Sequence, residues 1–136
     1  MPKISIIVSS DKIDKVFPAV VLATTASTMG WEAELFFTFW GLLAIKRGYE
    51  VKEVSLDHKH FEGKLREAIN AGAIPDWREM LKQGKKTGKL KVYACSATMK
   101  LLGIREEDLI EDVDEVVGAA TFLSKAKDSE VNLFIS

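Results

Sequence analysis

Apolar residues in this chain fall into short unbroken runs, separated by stretches with helical spacing. Ile4 to Val8 is nearly continuous and rich in β-branched residues, the mark of a strand covered on both faces. It ends in Ser9-Ser10-Asp11, each able to cap a helix. A helix is predicted from about Lys12 to Met29, with Val16, Val20, Ala23 and Ser27 on its apolar, small-residue face. Pro18 fits best in a first turn, which puts the true start near Phe17 and makes residues 12–16 a preceding turn. Gly30 suits the closing position.

Glu32 to Phe37 reads as a second strand. Thr38-Phe39-Trp40-Gly41 follows, and then a short helix from Leu42 to Arg47, stopped by Gly48. Tyr49 to Leu56 alternates and is expected to be a strand or an edge extension. Residues 57–89 are polar and turn-rich and read as a variable, mobile excursion from the main fold. Helices are expected there over Lys64–Ala71 and from Asp76 to Gln83, with Glu79 in the capping-box position. Leu90 to Ala94 is a short buried strand, and Ser96 to Leu102 a short helix closed by Gly103. A turn or short helix over Arg105–Ile110 leads to an acidic connector, Asp112–Glu115. A helix over Val117–Lys127 and a last strand, Val131–Ile135, complete the pattern.

Strands that alternate with helices predict an α/β fold, here a three-layer α/β/α sandwich with a mostly parallel sheet of about five strands. In such sheets ligands bind outside the carboxyl ends of the strands. Three of those ends carry unusual residues: Ser9-Ser10, Thr38-Phe39-Trp40-Gly41 and Cys95-Ser96. A parallel sheet brings all three to one edge.

The length, 136 residues, predicts a single domain over residues 1–136. A net charge of −1 lacks the basic excess of a nucleic-acid binder, so no nucleic-acid partner is expected. No apolar run approaches the ~20 residues of a membrane span, and MPKISIIVSS lacks a secretory h-region. A cytoplasmic location is expected. The loop after the first strand has no glycines and is not a dinucleotide turn, and Gly84 to Leu90 lacks phosphate-loop spacing, so no cofactor is expected. His58 and His60 are two ligands where zinc takes three or four, so no metal is expected. The lysines at 82, 85, 86, 89 and 91 could attract an acidic partner or an anionic substrate, with a solvated face the favoured reading. The aromatic run at 36–41 is read as pocket or oligomer interface as readily as plain core.

Cys95 is the only cysteine, which excludes an internal disulfide and a CxxC pair. Its place at a strand-to-helix hinge offers a thiolate unpaired N–H groups and the positive end of a helix dipole. Such thiols titrate at ~3.5–7.5 instead of about 8.5. The competing reading is a small buried hydrophobe, and the convergence of the three loops favours the reactive one. Ser96 is a candidate donor to the sulfur, and Ser9, Ser10, Thr38 and Trp40 are candidate pocket walls.

Three segments together resemble a known family. They are IIVSSDKIDKVFPAVVLATTASTMGWEAELFFTFWGL, KVYACSATMKLLGI and GAATFLSKAKDSEVNLFIS. The family is the DsrE/DsrF/DsrH-like proteins, and the closer likeness is to its DsrE2-type branch, often labelled peroxiredoxin-like. The resemblance implies a three-layer α/β sandwich that assembles into homo-oligomers, trimers or hexamers. It implies a sulfur carrier or sulfurtransferase holding a persulfide or thiosulfonate on the cysteine that matches Cys95, with a TusA-like carrier or another thiol protein as partner. Some relatives have a second cysteine, and this chain has none, which leaves no internal disulfide resolution. Two alternatives stand beside this reading: a peroxidase-type thiol enzyme, and a non-catalytic oligomeric binding module with an inert cysteine.

Overall fold

A computed structural model describes residues 2–136. Strands β1 (Lys3–Val8), β2 (Glu32–Phe37), β3 (Leu90–Cys95), β4 (Glu115–Val117) and β5 (Val131–Ile135) form one sheet in the order β4-β3-β2-β1-β5. Every pairing between them is parallel. The helices are α1 (Ile13–Thr28), α2 (Glu62–Asn70), α3 (Trp77–Lys85), α4 (Ser96–Leu102) and α5 (Ala119–Ala126).

Strand alternation divides the core between two faces. Ile4, Ile6, Val8, Leu35, Phe37, Val92 and Ala94 pack with α1 and α3. Phe36, Tyr93, Cys95 and Val117 pack on the other face with Phe122 and Ala126 of α5. Phe36 and Phe122 stack there with ring centroids 4.5 Å apart. The result is the expected α/β sandwich, with a sheet that is wholly parallel.

The sheet has the expected number of strands but a different membership. Residues 49–55 form no strand, because other partners claim their backbone. Glu53 C=O accepts the Ile13 N–H at 2.8 Å. The Val54 N–H goes to the Glu62 carboxylate and the Ser55 N–H to that of Asp14. The missing place is filled by β4, which takes Glu115 from the stretch read as an acidic connector and Val117 from the expected start of the last helix, and there Tyr93 pairs with Glu115 and Cys95 with Val117.

Helix α1 begins at Ile13, and Pro18 lies inside it on the exposed side. Ile13 and Val16 are buried, worth roughly 1.5–3 kcal/mol each. That outweighs the ~3 kcal/mol cost of an interior proline. The expected caps serve otherwise: Ser10 Oγ accepts the Lys12 N–H at 3.1 Å, and Asp11 binds the Tyr49 hydroxyl. Asp76 stands at the N-cap of α3 without a side-chain hydrogen bond, so no capping box forms with Glu79. The helix expected over Leu42–Arg47 is a 3₁₀ helix over Phe39–Ile45.

Segment 57–89 contains two different parts. The 3₁₀ turn Leu56–Phe61 and α2 bury no residue fully. Helix α3 buries Trp77, Leu81 and Gly84. A Cβ at Gly84 would lie 2.6 Å from Thr24 Cγ2, so glycine there sets the close approach of α3 to α1.

Candidate functional site

Cys95 ends β3 and is the N-cap of α4, the strand-to-helix hinge expected from sequence. Gly103 closes α4 with φ +68°. The thiol side chain points to the α5 face and is 6% exposed. Burial pushes the Cys95 thiol up. The Thr38 and Thr98 hydroxyls and the N–H groups of Thr98 and Ala97 oppose this, and together they hold it below its ordinary value.

The two threonines come from separate elements. Thr38 follows β2, the neighbour of β3, and Thr98 lies in the first turn of α4. Their hydroxyl oxygens are 3.3 Å apart. The Phe39 N–H donates to Thr98 Oγ1 at 2.9 Å. Phe39 sits at φ +49°, in the left-handed region that side-chain-bearing residues rarely adopt. The turn is pressed onto β1: a Cβ at Gly41 would come 2.1 Å from the Val8 carbonyl oxygen.

Ser9, Ser10, Thr38 and Trp40 do meet. With Phe39 and Phe134 they line a shallow cavity of about 430 Å³ at the carboxyl edge of the sheet, and no charged side chain lines it. Thr38 belongs both to this wall and to the environment of the sulfur. Phe39 and Trp40 are about half exposed and meet edge to face with centroids 4.9 Å apart. Ser96 is outside the cavity, half-buried toward the turn before α5, where a Cβ at Gly118 would sit 3.7 Å from its Oγ.

Sequence reasoning missed Thr98 and Phe134. A signal existed for Thr98: it occupies the third helical position after the N-cap, whose groups face back over the capping residue. Phe134 is visible only once β5 is known to flank β1, since it then points to the α5 face beside Ile7.

The lysines are not brought to the thiol as a group. Lys82 pairs with Glu111 at 2.9 Å and Asp112 at 3.3 Å, and Lys85 pairs with Asp114. Both belong to α3, on the opposite face from Cys95. His58 and His60 lie exposed in the 3₁₀ turn before α2. Among the described residues no group of three or more His, Cys, Asp or Glu could hold a metal ion. No helix among them is long and apolar enough to cross a membrane.

A parallel α/β sheet carrying a buried free thiol at its carboxyl edge describes a class of thiol-bearing α/β proteins. Within that class, a family model described as the DsrE/DsrF/DrsH-like family matches residues 1–71 and 58–134, and this chain belongs to that family. It is 27% identical to the uncharacterized protein YrkE of Bacillus subtilis, over 96% of this chain and 95% of that one. It is 26% identical to the sulfur carrier protein DsrE2 of Allochromatium vinosum, over 98% of both chains. Two solved structures share the fold. Protein MTH1491 of Methanobacterium thermoautotrophicum, of unknown function, matches with a TM-score of 0.62 at 16% identity, covering 98% of this chain and 99% of its own. The ychN protein of E. coli matches with a TM-score of 0.60 at 17% identity, with the same coverage.

Proposed function

We propose that this protein is a sulfur carrier that holds sulfane sulfur on Cys95 and passes it to a partner thiol. The observation that carries the reading is the placement of Cys95, which ends β3 at the carboxyl edge of the sheet and is the N-cap of α4, with surroundings that hold its thiol below its ordinary value. Family membership and the name of the relative DsrE2 support a sulfur-relay role. The Cys95 thiolate attacks the outer sulfur of a donor R–S–SH. The donor S–S bond breaks, a Cys95 Sγ–S bond forms, and the electron pair leaves as R–S⁻. An acceptor thiolate then attacks the outer sulfur of the Cys95 persulfide and regenerates the Cys95 thiolate. Neither step needs an oxidant or a second cysteine in the chain.

The exposed rings of Phe39, Trp40 and Phe134 at the carboxyl edge suit contact with the partner protein. A TusA-like carrier or another cysteine-bearing protein fits that role. The exposed Leu123 and Phe134 beside a groove on the α5 face support homo-oligomer formation as well. The protein acts in the cytoplasm, as one domain over residues 1–136.

Intact-protein mass spectrometry after treatment with polysulfide, and separately with tetrathionate, tests the reading. A reductant-reversible gain of sulfur in the wild type, absent in Cys95→Ser, is the expected result and identifies the cargo. A folded, reduced protein that takes up neither adduct would overturn it.

A further inference from the structure

We propose that the cavity between α2 and the start of α3 binds a small organic carboxylate with an apolar body, its carboxylate held by the Arg78 guanidinium. This site stands apart from Cys95 and does not depend on the carrier reading.

The cavity holds about 650 Å³, within the range of small-molecule sites. Residues at the start of α1, in the chain after β2 and at the start of α3 line it, and α2 forms its remaining wall. Its apolar wall, Ile13, Val51, Leu65, Ile69 and Trp77, belongs to or packs against the core on the α1 side. Cys95 belongs to the core on the other face of the sheet.

Arg78 points to the ligand class. A guanidinium is all donor and no acceptor, and the Arg78 side chain makes no hydrogen bond among the described residues. Its Nε is fully buried without a partner, the only such side-chain nitrogen or oxygen among the described residues. Its acid neighbour, Asp112 Oδ2, lies 3.7 Å from Nη2, beyond hydrogen-bond distance, and that same oxygen takes a hydrogen bond from Lys82 at 3.3 Å. The guanidinium is held over the Trp77 ring, with Cζ 5.7 Å from the centroid. Trp77 is 5% exposed, and its indole N–H has no hydrogen-bond partner among the described residues. Asp76 at the N-cap makes no side-chain bond, which leaves the first N–H groups of α3 open at the same end. A buried donor without a partner is costly unless an acceptor reaches it. A carboxylate is such an acceptor, and its two oxygens match the planar guanidinium fork.

The lining charges set the valence of the ligand. Lys52, Arg66 and Arg78 line the cavity, and so do Glu50, Glu62 and Asp76. Glu62 is committed to the Val54 N–H at 3.0 Å and to Lys59 at 2.9 Å. Glu50 and Asp76 make no ion pair among the described residues, and they repel a second negative charge. A single carboxylate is matched, and a multiply charged phosphate is not. The apolar wall takes the body of the ligand.

The test is isothermal titration calorimetry with octanoate, octanol and inorganic phosphate, on the wild type and Arg78→Met. Methionine keeps an unbranched stem and removes every N–H. Octanoate should bind the wild type with a Kd at or below about 1 mM, and Arg78→Met should weaken it about tenfold, the loss of one charge-assisted pair. Octanol has the same chain and no charge. It should bind more weakly, with no difference between the two proteins. The apolar groove on the α5 face would take octanoate without regard to Arg78, so an unchanged Kd in Arg78→Met would overturn the proposal. Failure of octanoate to bind up to about 10 mM, an equal loss for octanol, or tighter binding of phosphate than of octanoate would overturn it as well. If Arg78→Met does not fold, judged by circular dichroism, Arg78→Lys takes its place. Lysine keeps the charge and loses the planar fork, and it should weaken octanoate by at least about threefold; an unchanged Kd there has the same meaning.

Discussion

Two regions of the molecule, the α3 side and the carboxyl-edge cavity, use polar side chains in opposite ways. On the α3 side, charge is dense and paired. Lys82 and Lys85 meet Glu111, Asp112 and Asp114, and Asp114 also accepts the Val92 N–H at 2.7 Å. The cavity at the carboxyl edge, to which Thr38, Phe39 and Trp40 belong, has no charged side chain in its wall. The lysine-rich stretch is the more conspicuous feature of the sequence, yet its charges tie α3 to the chain entering β4. In the proposed carrier, the charge at this edge is supplied by the Cys95 thiolate. A nearby lysine would also favour that anion, but hydroxyls and N–H groups do so without drawing the thiolate into a salt bridge that must be broken for transfer.

The sharpest break of this contrast is Cys95→Ser, for which sulfur loading measured by mass should fall to nothing while the fold persists. Gly41→Ala comes next. A methyl 2.1 Å from the Val8 oxygen must displace the turn. The expected cost is about 3 kcal/mol in urea unfolding, the upper end for overpacking, together with a changed alkylation profile. On the charged side, Asp114→Ala should cost about 1–3 kcal/mol by the same measurement, since it strands the Lys85 ammonium and the Val92 N–H. It should leave Cys95 alkylation unchanged, which separates the two regions. Trp40→Ala should lower stability by only about 0.5–1 kcal/mol, the worth of its edge-to-face contact with Phe39, while sulfur transfer to a protein thiol slows.

The smallest effect concerns pH. Glu111 is held down to about 2 by its own backbone N–H, then by Lys82 and Arg47. A depressed carboxylate stabilises the fold above its ordinary value near 4.5 and loses that contribution as pH falls through about 2. Stability should therefore show only a weak acid-side decline attributable to this group, seen as a small change in urea midpoint on Glu111→Gln that vanishes at the lowest pH.

Much of the fold was legible because its signals are local. The β-branched run of β1, the hinge at Cys95 and the glycine closing α4 all appear at their expected places. The convergence of Ser9, Ser10, Thr38 and Trp40 followed from parallel strand order alone. The failures share one physical cause: long-range competition for backbone groups. Residues 49–55 alternate like a strand, but Asp14, Glu62 and the start of α1 hold them. The acidic run at 112–115 looked like a connector, but its end pairs with β3. Adjacency to Cys95 singles out Ser96, whereas its Oγ faces the turn before α5, and it is Thr98, three residues on from Cys95, whose hydroxyl meets Phe39 and Thr38 of the aromatic turn.

The most direct test of the account is a single-turnover transfer. The protein is loaded with polysulfide, freed of excess donor, and mixed with a reduced protein thiol while the masses of both are followed. The account predicts that one sulfur atom leaves Cys95 and appears on the acceptor, with Cys95 returned to the free thiol and no disulfide formed between the two proteins. Sulfur that stays on Cys95 in the presence of excess acceptor thiol, or a stable mixed disulfide in place of transfer, would contradict it.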